Sequence, residues 1–229
     1  MEFIVLLIIV VIIYFILRFI FDFNMKKIKE IGEDKQLDEL TQKYPENIEI
    51  CKSYLKKLNN ENVKIEEDKT SNSTLYLIIN NKIFIANLKN SYTRIQTIAH
   101  ECLHSIQSKK ILWFNFIFSN IYLAYFFITC ILAIFKLLPN KMLFVAILTI
   151  IGFTFYTVRT YLENDAMIKA RFLAKEYMQE QKISSQEEIN KIVNKYDELN
   201  DVGIKCTNFK LLSNVFLKII ILLIIFIAR

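Results

Sequence analysis

The chain has 229 residues, of which 54% are hydrophobic, yet it contains only 3 Gly and 2 Pro. Long uncharged runs alternate with polar stretches, a composition that excludes a disordered chain or a disulfide scaffold and disfavours an all-β fold. The net charge of +6 does not indicate nucleic-acid binding, because lysines and arginines are interspersed with acidic residues. We therefore expect a mainly α-helical membrane protein with the lipid bilayer as one partner and no nucleic-acid partner.

The first predicted element is a membrane anchor within residues 1–23. Phe3–Phe21 is apolar except for Arg18. This run has neither the basic start nor the small-residue cleavage site of a signal peptide. We interpret it as an uncleaved transmembrane helix, with Arg18 snorkelling toward the lysines that follow.

The next segment, residues 24–110, is polar and predicts a small α+β part. Apolar residues at helical spacing predict a helix over 45–59. Residues 74–79 and 82–86 predict a β-hairpin with a two-residue turn at Asn80-Asn81. A further helix is expected from about Tyr92 to Ser108.

Residues 111–158 predict a transmembrane helical hairpin. Ile111–Phe135 carries no charge, and Met142–Val158 is a second apolar run that is long enough to span. The residues between them, 136–141, include Pro139 and predict a tight turn. The hairpin returns the chain to the side from which it entered.

A second polar helical segment is predicted over residues 159–210. Two overlapping patterns, Ser184 with Glu187 and Ser185 with Glu188, each match a capping box at a helix N-terminus. Glycine is common where a helix ends, so Gly203 predicts the end of this helix.

The last predicted element, residues 211–229, is an apolar helix with one charge near its middle. An unpaired lysine at that depth costs about 2.5–3.5 kcal/mol on insertion scales. We predict either a spanning helix whose Lys218 faces protein or snorkels, or a helix in the membrane interface.

The basic residues that flank the spans predict an orientation. Most lie on one side of a four-span arrangement, namely Lys26, Lys27, Lys29, Lys109, Lys110, Arg159, Lys169, Arg171, Lys205 and Lys210. Only Lys136, Lys141 and Arg229 lie on the other side. By the positive-inside rule, the protein is expected in the cell membrane as a multi-pass protein with both polar segments in the cytoplasm.

The two histidines of the chain, His100 and His104, frame a glutamate, Glu101. Residues four apart project from one face of a helix, so the two imidazoles can bind one Zn²⁺ ion. Glu101 can then lie beside the metal and take a proton from its bound water. The motif predicts a catalytic zinc site with Glu101 as general base and about one zinc per chain.

A third protein ligand is required, and no histidine remains. The transmembrane hairpin should place residues just after the third span at the same depth as His104, which selects Glu163 or Asp165. Glu163 shares a helical face with small residues, whereas Asp165 has Lys169 four positions later. We favour Glu163 as the ligand and expect Asp165 to act in an ion pair or behind the ligands.

Three nearby residues are expected to play lesser parts. Cys102 points away from the two histidines and is predicted to be a buried, neutral thiol, and the four cysteines, which form no CxxC pair, are all expected to be reduced. Gln107 and Arg159 could support the ligands through hydrogen bonds.

The stretch from Asn81 to Gln107, which contains His100-Glu-Cys-Leu-His104, resembles the core of the YugP-type membrane zinc metallopeptidases, where a strand precedes a helix with an HEVGHAIQ-like motif. Glu163-Asn-Asp-Ala166 resembles that family's E-F-D-A-S segment. The resemblance implies a gluzincin-like protease with His100, His104 and Glu163 as ligands. Leu103 stands where the family usually has Gly, and Met167 where it usually has Ser.

The predicted function is therefore a membrane-embedded zinc-dependent endopeptidase with a small zincin-like cytoplasmic part. Its substrate would be a peptide or a membrane protein. The strand 82–86 could pair with an extended substrate as an edge strand can, or it could pair with other strands of the protein. The alternative is a catalytically inactive, zinc-binding membrane scaffold or accessory protein.

Overall fold

Eight helices and three strands make up the described part of the chain, which comprises residues 1–68, 70–71, 73–88 and 90–228 of a computed structural model. In chain order they are α1 (Glu2–Ile20), α2 (Met25–Gly32), α3 (Lys35–Gln42), α4 (Asn47–Lys57), β1 (Lys64–Asp68), β2 (Leu75–Leu77), β3 (Lys82–Ala86), α5 (Arg94–Ile106), α6 (Lys109–Ile134), α7 (Lys141–Gln181) and α8 (Gln186–Ala228). The predicted, mostly helical architecture is confirmed.

The chain divides into two units. The first, the apolar-helix unit, comprises Met1–Phe23, Trp113–Tyr161 and Lys205–Arg229. The second, the mixed α/β unit, comprises Asn24–Leu112 and Leu162–Ile204. The second unit contains all three strands and the motif helix α5.

Four helices, α1, α6, α7 and α8, are long and apolar enough to cross a membrane, as the sequence predicted. Helix α7 has 41 residues and α8 has 43, so each continues well past its apolar part. Gly203 lies inside α8, and the prediction that a helix ends there is wrong. A helical glycine costs only about 1 kcal/mol relative to alanine, which packing along so long a helix outweighs.

Within the apolar-helix unit, α7 approaches α6 and α8 closely at Gly152. A Cβ atom added at Gly152 would lie 2.8 Å from the Val215 Cγ1 atom and 3.1 Å from the Tyr122 hydroxyl. The Lys218 ammonium lies 3.9 Å from the centre of the Tyr122 ring. Lys218 therefore faces protein, which is one of the two arrangements predicted for a spanning helix.

The sheet of the mixed α/β unit has the order β1-β3-β2, with β1 parallel to β3 and β2 antiparallel to it. The predicted hairpin is present, but its turn is longer than predicted. Leu77 pairs with Lys82, so four residues form the loop, and Asn81 adopts a positive φ of 48°. Because β3 is paired on both sides, strand 82–86 pairs structurally, which is one of the two predicted alternatives, and it offers no free edge to a substrate.

The start of the motif helix is fixed by a buried arginine, Arg94, which is 1% exposed. Its guanidinium donates hydrogen bonds of 2.8–2.9 Å to four oxygens, the main-chain carbonyls of Thr41, Tyr44 and Pro45 and the side chain of Asn47. These bonds join the end of α3 and the start of α4 to α5. They hold α5 in one position relative to the helices around it.

The start of α8 shows one of the two predicted capping boxes. The Ser185 hydroxyl accepts a hydrogen bond from the Glu188 amide, and the Glu188 carboxylate accepts one from the Ser185 amide. Helix α8 begins at Gln186, so Ser185 rather than Ser184 is the N-cap.

Candidate metal site

Helix α5 places His100 and His104 on one face, one turn apart. The opposite face is apolar and buried, and it includes Ile95, Ile98 and Cys102. The Nε2 atoms of the two histidines lie 3.0 Å apart. The helix thus packs by one side and presents both imidazoles on the other, as the spacing predicted.

Helix α7 brings Glu163 to the same point. The Glu163 Oε2 atom lies 3.4 Å from the His100 Nε2 atom and 3.7 Å from the His104 Nε2 atom. The ligand atoms of these three residues all lie within 4.8 Å of one another, so the group could hold a metal ion. Alanines follow Glu163 on its helical face, and Ala166 and Ala170 are fully buried, which permits the close approach of α7.

Leu103, which replaces the glycine usual in the similar family, does not prevent this arrangement. Its side chain is buried in the core of the mixed α/β unit, together with Ala166 and Leu173 of α7. The larger side chain is therefore accommodated within the core beside the ligand group.

The tautomer of His104 follows from the hydrogen bonds of Gln107. The Gln107 amide nitrogen donates to two acceptors, the Leu162 carbonyl at 2.8 Å and the Asp165 carboxylate at 3.1 Å. The Gln107 amide oxygen must then face His104, whose Nδ1 atom is 2.8 Å away. In the neutral imidazole, the Nδ1 atom therefore carries the proton, and the lone pair of the Nε2 atom is directed toward His100 and Glu163.

Asp165 is not one of the three residues that could hold the metal; it lies behind them. Its carboxylate pairs with Lys169 at 2.5 Å, which is the i,i+4 ion pair that the sequence predicted. Burial raises the pKa of Asp165, but the hydrogen bonds from Lys169 and Gln107 lower it further, so the net pKa is below its usual value. Asp165 is therefore an anion that orients Gln107.

The electrostatics of the group favour bound protons or a bound cation. Burial lowers the pKa of His104, but its hydrogen bond to the Glu163 carboxylate and the negative charge of Glu101 raise it, and the net pKa lies above the usual histidine value. Because carboxylates surround the imidazole, positive charge is stabilised at this point.

Glu101 lies beside the ligand group and is 8% exposed. Its Oε2 atom accepts a hydrogen bond of 2.6 Å from the Tyr76 amide of β2. Burial raises the pKa of Glu101, and the charges of His100 and His104 oppose that rise without cancelling it. The sequence predicted strand β2 but not its contact with Glu101. The position of the hairpin just before the motif helix could have indicated that contact.

Cys102 points to the other side of α5, as predicted. Its side chain is fully buried, and burial raises the pKa of its thiol well above the usual value. The Cys102 sulfur lies 3.6 Å from that of Cys51, a contact that a separation of 51 residues did not suggest. All four cysteines are free and buried. Arg159 belongs to the other unit, and its supporting role stays a prediction.

No family model, no curated protein and no solved structure matches this chain. The resemblance to YugP-type peptidases therefore rests on the motif residues alone.

Proposed function

We propose that this protein is a zinc-dependent endopeptidase with His100, His104 and Glu163 as metal ligands and Glu101 as general base. The observation that carries the proposal is the group of three ligand atoms with a buried carboxylate beside it. Two imidazoles and one carboxylate, with a position left for water, form the ligand set of catalytic zinc sites.

The spacing of the three ligand atoms supports zinc as the metal. Bonds of about 2.0–2.1 Å in a tetrahedral site imply ligand atoms about 3.3 Å apart. The distances among the His100, His104 and Glu163 atoms are 3.0, 3.4 and 3.7 Å. Imidazole nitrogens also favour zinc over the hard cations Mg²⁺ and Ca²⁺, which prefer oxygen ligands.

Glu101 has the environment that a general base requires. A bound zinc ion supplies a Lewis acid and lowers the pKa of a water molecule. Glu101 would exchange its hydrogen bond from the Tyr76 amide for one from that water, accept the proton and pass it to the leaving amine.

The outer edge of β2 favours a peptide as the substrate. Tyr76 lies opposite Ile83 of β3, but its amide donates to Glu101, so this amide is on the unpaired edge of β2. An extended peptide that paired with this edge would run past the Glu101 carboxylate. A lipid substrate would not use these main-chain groups.

We further propose that the four long apolar helices span the cell membrane and that the mixed α/β unit is cytoplasmic. Support comes from the apolar helices and from the basic residues at their ends. Native cysteines cannot report the orientation because all four are buried. Lys52→Cys and Asn140→Cys place thiols at exposed positions on the two predicted sides.

The orientation test is labelling of intact cells with a membrane-impermeant thiol reagent. Asn140→Cys should label and Lys52→Cys should label only after the cells are permeabilised. Labelling of Lys52→Cys in intact cells would place the site outside the cytoplasm.

The test of the enzymatic proposal compares newly formed protein N-termini in membranes that contain the wild type or Glu101→Gln. Glu101→Gln should keep its zinc, because Glu101 is not a ligand, and should lose cleavage, because the base is lost. Glu39→Gln, at an exposed position, is the matched control and should behave as the wild type. Identical N-termini in the wild type and Glu101→Gln, with zinc present in both, would support the scaffold alternative instead.

A further inference from the structure

The loop between β2 and β3 carries an exposed apolar side chain at its tip. Ile79 is 61% exposed, and the loop consists of only the four residues from Ile78 to Asn81. Turns of this kind usually carry Gly, Asn, Asp or Ser at exposed positions. The isoleucine at the tip therefore differs from the usual turn residues and presents an apolar side chain to the surroundings of the loop.

The loop is attached to the first residue of α6. The Lys109 ammonium donates hydrogen bonds to the Tyr76 hydroxyl at 2.7 Å and to the Ser105 carbonyl at 3.0 Å. The Tyr76 hydroxyl in turn donates to the Asn81 side chain at 2.8 Å. The tip of the hairpin is therefore held next to the residue at which α6 begins.

The position of Lys109 along helix α6 indicates how deep the attached loop would lie relative to a bilayer. It is one of the four helices that could span a membrane, and it has no charged residue after Lys110. The two lysines at its start therefore mark the boundary between the apolar core and the polar headgroups. Lys110 is exposed, and so is Ile106, the last residue of α5, which is 45% exposed.

We propose that the loop Ile78–Asn81 is a membrane contact, with Ile79 inserted at the boundary between headgroups and acyl chains and Lys110 near anionic headgroups. The proposal rests on the spanning role of α6 proposed above. A bilayer is the occupant that the structure favours, because the loop carries an exposed isoleucine and is held at the start of a membrane-type helix whose first two residues are lysines.

The contact has a consequence for the substrate. Strand β2 carries the Tyr76 amide that contacts Glu101, and the Tyr76 hydroxyl is part of the attachment to α6. The bilayer would thus hold the unpaired edge of β2 at the membrane surface, beside the ligand group. The substrate class that fits this edge is an extended peptide segment next to a membrane span.

Fluorescence quenching by brominated lipids tests the contact. A polarity-sensitive dye attached to Ile79→Cys is reconstituted with the full chain into vesicles of phosphatidylethanolamine and phosphatidylglycerol. The same dye at Ile121→Cys, which lies on an exposed face of α6, is the membrane control, and at Lys52→Cys it is the aqueous control. Wild-type protein controls for reaction of the dye with the buried native cysteines.

We expect quenching at positions 79 and 121 and little at 52. Quenching at 121 without quenching at 79 would overturn the loop contact and leave the membrane proposal intact. Absence of quenching at both would overturn the membrane placement and the loop contact together. Tyr76→Phe in the Ile79→Cys background removes the hydroxyl that joins Lys109 to Asn81, and it should weaken quenching at 79 without changing that at 121.

Discussion

The mixed α/β unit and the apolar-helix unit use their hydrogen bonds differently. In the mixed α/β unit, side chains form hydrogen bonds between different secondary-structure elements. Arg94 bonds to α3 and to the loop before α4, and Gln107 bonds to α7. In the apolar-helix unit, hydroxyls such as those of Ser119, Thr149 and Thr154 donate to carbonyls of their own helix. Contact between its helices comes mainly from close apolar packing.

This difference follows from how accurately each unit has to position its side chains. Directional bonds fix positions to within fractions of an ångström, which ligand atoms for a metal require. Apolar helices can associate through small residues and close packing alone, without side-chain hydrogen bonds between the helices.

The largest expected effect comes from Arg94→Met, which leaves four buried oxygens without their donor. We expect the mixed α/β unit to lose about 3–5 kcal/mol of its free energy of unfolding, comparable to removal of one partner of a buried ion pair. Thiol labelling during heating reads the two units separately, because Cys51 and Cys102 lie in this unit and Cys130 and Cys206 lie in the other.

Arg171→Met is the control, because Arg171 forms a partly exposed ion pair with Asp197 and should cost about 1 kcal/mol or less. In Arg94→Met, the Cys51 and Cys102 thiols should react at lower temperature while Cys130 and Cys206 stay protected. Simultaneous exposure of all four cysteines would show that the two units unfold together and would remove the basis of the comparison.

Gly152→Ala should affect the other unit. The added Cβ meets Val215 at 2.8 Å and the Tyr122 hydroxyl at 3.1 Å, so the helices must separate at a cost of about 1–3 kcal/mol. Gly32→Ala is the matched control, because a Cβ at Gly32 meets nothing within 4 Å. Earlier labelling of Cys130 and Cys206 in Gly152→Ala is the expected result, and wild-type labelling of both would show that the crossing is not tightly packed.

Gln107→Leu removes the amide that fixes the His104 tautomer. We expect zinc affinity to fall about 10–100-fold, as is usual for groups that orient a metal ligand. Gln179→Leu, on an exposed position of α7, controls for the change of residue type. Competition against a chromophoric zinc chelator measures both variants, and equal affinities would mean that directional bonding behind the ligands is unimportant.

Ser185→Ala should have the smallest effect. It removes the hydroxyl that caps α8 and should cost about 1 kcal/mol. Thermal unfolding followed by labelling of Cys51 and Cys102 checks this value. A loss as large as that of Arg94→Met would mean that the helix cap, rather than the buried arginine, determines the stability of the mixed unit.

The sequence predicted the helices of this protein better than its sheet. Uncharged runs predict long helices directly, and the His100 to His104 spacing predicts the orientation of both imidazoles. Strand β1 was missed because its sequence, KIEED, lacks the apolar alternation of a strand and its parallel pairing with β3 is non-local. The continuation of α8 through Gly203 was missed because packing overrides a local signal.

For the candidate site, the sequence predicted the ligand group and the supporting positions of Gln107 and Asp165, but not the contact made by Glu101. Glu163 was selected because a transmembrane hairpin returns the chain to the depth of His104, and the structure brings these residues together. The contact between Glu101 and the Tyr76 amide depends on how the sheet lies over α5. The hairpin just before the motif helix indicates that the sheet lies near α5, but it does not indicate which main-chain amide contacts Glu101.

The most direct measurement is the zinc content of Glu163→Gln beside that of Asp165→Asn, determined after equilibrium dialysis. The wild type should hold about one zinc per chain, Glu163→Gln should lose it because a neutral amide replaces an anionic ligand, and Asp165→Asn should retain it because an amide oxygen can still accept the Gln107 hydrogen bond. Stoichiometric zinc in Glu163→Gln, together with its loss in Asp165→Asn, would contradict the ligand group described above.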